Sequence, residues 1–166
     1  MTYLSRVRLQ MLGLLLAFGC GGESADAPTP TQPNSGVLSD LSLVAVEAPG
    51  QIRLDSVLQL RVAVHNGGTR TAGPGWFARL FLSADSLITS DDILIDQFVA
   101  SRELQPGVDD GYLRTIKLPG RIQPASYYLG AVLDVTAVVP ELDEDNNALR
   151  SPPKIIILPK MPLGDG

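Results

Sequence analysis

Residues 57–64 read VLQLRVAV, with Leu58, Leu60, Val62 and Val64 alternating against Val57, Gln59, Arg61 and Ala63. A period of two puts the first set on one face of an extended chain and the second on the other, which is the pattern of a strand buried on one side. Asn66-Gly67-Gly68 then reads as the turn that closes it. Further short apolar runs, separated by Pro, Gly, Asn and Ser, predict strands over 41–46, 76–82, 93–99, 112–118, 127–134 and 154–158. No segment carries an apolar stripe at helical spacing between caps. The expectation is an all-β chain folded as a seven-stranded antiparallel β-sandwich.

Particular residues place the core. Trp76 opens the third strand, and Ala78, Leu80 and Leu82 share its face while Arg79 points away. Buried there, Trp76 alone removes on the order of 200 Å² from water. Tyr127 and Tyr128 follow Pro124-Ala125-Ser126 at the start of the sixth strand. One of them is expected either as the tyrosine corner of an immunoglobulin-like sandwich, its hydroxyl bonded to the backbone upstream, or as plain core packing. Residues 154–158 are apolar on both faces. They predict a strand covered on both sides, or an edge that a partner extends by strand addition, with Pro152, Pro153 and Pro159 blunting it.

Composition removes several functions. A single Cys cannot form an internal disulfide framework or a Cys-based zinc cluster, and a single His cannot form the usual multi-histidine metal site. A formal charge of −5 and a pI near 4.7 argue against nucleic acid as a partner, which needs a basic footprint.

The N-terminus reads as an address. Arg6 and Arg8 precede LQMLGLLLAF, residues 9–18. As a helix this run spans about 15 Å, half the roughly 30 Å of a hydrocarbon core, so it predicts a signal peptide over residues 1–19 rather than a membrane span. Leu16-Ala17-Phe18-Gly19-Cys20 resembles a bacterial lipobox, with Phe18 in place of the usual small or polar residue. That resemblance implies cleavage before Cys20, a lipid on its thiol and acylation of the new amine. Several acyl chains hold durably where one holds marginally. Loss of residues 1–19 takes Arg6 and Arg8 but no acid, so the formal charge goes from −5 to −7. Anionic headgroups repel such a surface, which leaves membrane contact to the lipid. Residues 20–39, rich in Pro, Gly, Ser and Thr, predict a tether reaching up to about 60 Å, and residues 159–166 a short tail.

Residues 40–158 resemble the CARDB domain, a cell-adhesion-related immunoglobulin-like module of exported bacterial proteins. The resemblance is carried by DLSLVAVEAP from Asp40, VLQLRVAVHNGGTRTAGP from Val57 and RLFLSADSLITSDDILID from Arg79. It continues with PASYYLGAVLD from Pro124 and VPELDEDNNALRSPPKIII from Val139, in the family's order. It implies a seven-stranded sandwich without catalytic residues, and adhesion as the role.

Two acidic clusters are the candidate metal ligands. Asp85, Asp91 and Asp92 form one; Glu141, Asp143, Glu144 and Asp145, followed by Asn146 and Asn147, form the other. Calcium takes six to eight oxygens, which loop carboxylates can supply, so weak structural Ca²⁺ is one reading and no other cofactor is expected. Asp143-x-Asp145-x-Asn147 matches the start of a helix-loop-helix calcium loop, but Ala148 stands where that loop needs Gly and Lys154 where it needs Glu. The other reading is turn chemistry, in which Asx side chains bond their own backbone. His65, the lone imidazole, lies at a strand end with no G-x-S-x-G elbow in the chain, and Gly67-Gly68 does not precede a helix. An enzyme is not expected.

These readings predict a lipid-anchored protein of the bacterial envelope, at the outer membrane or cell surface, that binds or adheres to an envelope protein or polysaccharide. The alternatives are a structural spacer or accessory subunit, and a carbohydrate-binding protein with an exposed aromatic platform.

Overall fold

The computed structural model describes residues 36–152 and 154–162. The signal segment, Cys20, the tether up to residue 35, Pro153 and residues 163–166 lie outside the described residues.

All regular structure among the described residues is β. The strands are β1 (Leu41–Glu47), β2 (Gln51–Arg53), β3 (Val57–Asn66), β4 (Phe77–Ser83), β5 (Ile93–Val99), β6 (Asp109–Lys117), β7 (Ala125–Val132), β8 (Ala148–Arg150) and β9 (Ile155–Leu158). One sheet runs β1-β3-β6; the other runs β2-β9-β7-β4-β5, with β8 also paired to β7. The alternation in β3 works as read: Leu58, Leu60, Val62 and Val64 are buried while Val57, Gln59 and Arg61 are exposed. Ala63 is the exception, buried on the outward face. From the other sheet Ala78, Leu80, Leu82, Leu129 and Ile157 meet them, with Trp76 fully buried just before β4.

Two features correct the expectation of seven antiparallel strands. Among the described residues there are nine strands, because β2 and β8 are three residues each, too short to show a period. The pairing is also mixed: Gln51 to Arg53 run parallel to Ile156 to Leu158. That pairing answers the question about β9. It has β2 on one side and β7 on the other, so no edge is open there for a partner strand. Its inward residues, Ile155 and Ile157, are buried, and Ile156 faces out.

The tyrosine at the corner is Tyr127. Its ring is buried and its hydroxyl donates to the Gln123 carbonyl at 3.1 Å, while Tyr128 turns to the outer face. At the open side of the sandwich, Arg114 of β6 bonds Asp96 of β5 at 2.7 Å and lies over Phe98. Phe98 packs on Tyr112, and Tyr112 meets Trp76 edge-on. Burial, with the negative charge of Asp110 next, pushes the Tyr112 hydroxyl up to about 12.

Candidate functional site

The two acidic clusters fold into two unlike loops, and neither brings its carboxylates to a common point. In the β4–β5 loop, Asp85 Oδ1 accepts from the Leu87 amide at 2.8 Å, and Asp92 Oδ2 accepts from the Thr89 amide at 2.7 Å. The Asp91 amide donates to Thr89 Oγ1. These are Asx and hydroxyl turns, side chains doing the work of a backbone turn. They fold the loop back across the larger sheet, where Ile88 lies on Gly130 of β7. A Cβ at Gly130 would overlap Ile88 Cγ1. This cover explains why Phe81, on the outward face of β4, is only 4% exposed.

The second cluster is turned inward. Glu141 is 7% exposed; its Oε1 accepts from the Leu41 amide at 2.7 Å and its Oε2 from Asn147 Nδ2 at 2.6 Å. Glu144 accepts from the Glu141 amide, and Asp143 from the Asp145 amide. Burial holds the Glu141 carboxyl above the ordinary carboxylate value, against the lowering effect of its two hydrogen bonds. The residues before it are ordered by Asp134, also buried, whose carboxylate receives the Val138 and Val139 amides at 3.1 and 2.7 Å. Asp134 and Ala137 both adopt left-handed φ, 37° and 48°.

What the second loop holds is the segment where the chain joins the sandwich. Ser39 pairs with Glu141, its carbonyl receives the Leu142 amide at 2.9 Å, and its hydroxyl donates to the Pro140 carbonyl. Asn146 Nδ2 donates to Asp40 Oδ1 at 2.9 Å. The β3 turn grips the same segment from another direction. Amides of Thr69 and Arg70 donate to the Leu38 carbonyl, and the Gly67 amide to that of Asp40. Gly68 permits this approach, since a Cβ there would sit 2.6 Å from Ser39 Cα. Residues 38–39, placed in the tether from sequence, are therefore part of the folded unit.

At the centre of that grip stands Asn66, which reads from sequence as a turn residue and is in fact the fully buried end of β3. Its Oδ1 accepts from the amides of Asp40 and Gly68, and its Nδ2 donates to the carbonyls of Arg70 and Leu104. Nothing in Asn-Gly-Gly separates this from an ordinary hairpin turn. A signal does exist in the strand's alternation, which carried through from Val64 places residue 66 on the buried face.

Among the described residues, no three His, Cys, Asp or Glu side chains are arranged to hold a metal ion. Asp85, Asp92, Glu141 and Asp143 already serve backbone amides, while calcium needs six to eight oxygens around one point. His65 Nδ1 contacts Asp109 Oδ1 at 2.6 Å on the exposed face of the smaller sheet. Ser42 stands opposite His65 across β1 and β3, but its hydroxyl makes no hydrogen bond to the ring among the described residues, and an activated serine would need one. Trp76, Phe81, Phe98 and Tyr127 are buried, so they do not form an outer platform for sugars.

Comparison with known proteins gives a consistent picture. The CARDB family model matches residues 38–151, beginning within the gripped segment. The CARDB domain of a Pyrococcus furiosus protein, solved in complex with di-metal ions, superimposes with a TM-score of 0.55 at 18% identity, covering 74% of this chain and 96% of that one. A domain of a Methanosarcina acetivorans protein assigned to the cell surface gives 0.55 at 20% identity, covering 74% and 94%. At such identities these likenesses speak to the fold. No curated protein matches the chain in sequence.

Proposed function

The chain belongs to the CARDB family, and from that premise we propose that it is a lipid-anchored cell-envelope module that binds or adheres and does no catalysis. The anchor is Cys20, with residues 21–35 as the lead to the domain. The observation that carries this reading is the grip on residues 38–41. A tethered module takes load where its tether joins, and here that segment is bonded from the β3 turn on one side and the Pro140–Asn147 loop on the other. Hydrogen bonds spread over two loops share a pull instead of breaking one after another. The cell-surface assignment of the Methanosarcina protein supports the location. The absence of catalysis is supported by where the carboxylates are spent, on backbone amides and on Asn147.

The same grip suits a spacer or accessory subunit of an envelope assembly, and one experiment separates the two. The full chain and Cys20→Ala are expressed with labelled palmitate, fractionated, and cross-linked in cells. The expected result is label and membrane association for the native chain alone, with one stoichiometric partner recovered from it. Label retained by Cys20→Ala overturns the anchor. An anchored chain that recovers no specific partner overturns the binding reading in favour of the spacer.

A further inference from the structure

The positive charges outside the grip are unevenly used. Ion pairs among the described residues engage Arg61, His65, Arg102 and Arg114. Arg150 and Lys154 are in none of them, although the chain carries 18 acidic residues against 13 Lys and Arg. Both instead lie against one ring: Arg150 Cζ is 5.0 Å and Lys154 Nζ 4.5 Å from the Tyr128 centroid. The register makes this arrangement. Tyr127 pairs with Ile155 and Gly130 with Arg150, so Tyr128 falls between them on the outward face. A cation on an exposed ring gains only about 0.5–1 kcal/mol, and two cations on one ring repel each other. An anion placed between them removes that repulsion. Beside Arg150 runs a cleft of about 220 Å³ between the β4–β5 loop and β8, lined by Ser86, Leu87, Ile88, Ala148 and Leu149. Leu87 is 69% exposed there.

We propose that this face docks an acidic peptide segment of a partner protein, with an apolar side chain in the cleft and the neighbouring carboxylates on Arg150 and Lys154. Arg150 and Lys154 set the sign of the segment at the Tyr128 end, while Asp85, bonded to the Leu87 amide, admits only an uncharged side chain at the cleft; that alternation of charged and apolar groups favours a peptide over an acidic glycan. The Tyr128 ring, occupied by two cations, is not free to stack on a sugar. The inference deepens the binding reading and rests on it.

The test is fluorescence anisotropy of the labelled peptide LDEDLDED with the full chain in low salt, where charge contacts are least screened. Saturable binding is expected, weakened about tenfold in Arg150→Glu/Lys154→Glu and also in Leu87→Asp, with circular dichroism melts unchanged. Arg53→Glu, a charge reversal elsewhere, should bind as the native chain does. Equal weakening by Arg53→Glu, undiminished binding by the double variant, or no saturable binding overturns the inference. So does displacement by polygalacturonate at equal carboxylate concentration, which would assign the site to a glycan. Failure here together with a stoichiometric cross-linked partner would sink this face alone and leave the binding reading standing.

Discussion

The β4–β5 loop and the Pro140–Asn147 loop are both short and acidic, and the fold uses them in opposite ways. In the first, the carboxylates stay at the surface and bond amides two or three residues away. In the second, Glu141 is buried and holds the Leu41 amide from 100 residues away. Local bonds shape a loop, whereas a distant bond ties parts of the chain that nothing else in the sequence brings together. The difference teaches that acidity in a loop says little until it is known which donor each carboxylate serves. A carboxylate on its own turn is replaceable by other turn chemistry; one that is the sole partner of a buried distant amide is not.

The largest effect should come from breaking the distant bond. Glu141→Ala leaves the Leu41 amide and Asn147 Nδ2 without their partner, and each unmet buried group costs about 1–3 kcal/mol. A loss of about 3 kcal/mol, or about 10 °C in Tm, is expected in thermal melts. Glu141→Gln should lose far less. Its oxygen can still accept from Leu41, and Asn147 Oδ1, buried without a partner, can meet the new amide if the Asn147 side chain turns over. Equal losses in the two variants would show that the charge, not the hydrogen-bond pattern, matters.

Gly130→Ala attacks the first loop at its contact rather than its charge. The added methyl overlaps Ile88 Cγ1 and Cδ1, so the Ile88 side chain must turn off Gly130 and loosen the loop's cover, at about 2 kcal/mol. The companion variant Ile88→Ala/Gly130→Ala should recover part of that loss, and a double-mutant cycle measures it. Removing a turn carboxylate is smaller still. Asp92→Ala forfeits a local hydrogen bond worth about 1 kcal/mol, with no change elsewhere in the domain.

The scale of these effects follows what the sequence showed and what it hid. Strand β3 was legible because its alternation is local: each residue's face is decided by its immediate neighbours. The turn bonds of Asp85 and Asp92 were legible as a class for the same reason. Glu141 and Asn66 were not, because their partners, the amides of Leu41 and Asp40, lie 100 and 26 residues away and are chosen only when the two sheets close. Strands β2 and β8 escaped on the same ground, since three residues carry no period and gain their place from β9 and β7. The basic pair of Arg150 and Lys154 is equally a product of register, which sets both beside Tyr128.

Burial also makes the hold of Glu141 depend on pH. Glu141 has its carboxyl raised by burial, so the folded chain binds that proton more tightly than the unfolded chain does. Its contribution to stability therefore grows as pH falls through the raised value toward the ordinary carboxylate range, and stops growing below it. The stability of the native chain minus that of Glu141→Gln, from urea melts, should increase over that interval.

The smallest expected effect concerns calcium. Calcium needs six to eight oxygens around one point, and among the described residues no three His, Cys, Asp or Glu side chains converge to supply them. Melts of the full chain in millimolar Ca²⁺ and in chelator should therefore coincide. Binding to the native state alone would raise Tm, by about 2.7 kcal/mol of stabilisation at a hundredfold excess over Kd. If such a rise occurred, the variants would locate it: abolition by Asp92→Ala and not by Glu141→Gln would place the ion on the surface loop, and the reverse would place it at the grip. In the second case the segment at Leu38–Leu41 would be held through a metal as well as by hydrogen bonds, and the contrast between the two loops would be one of ligand binding instead of reach.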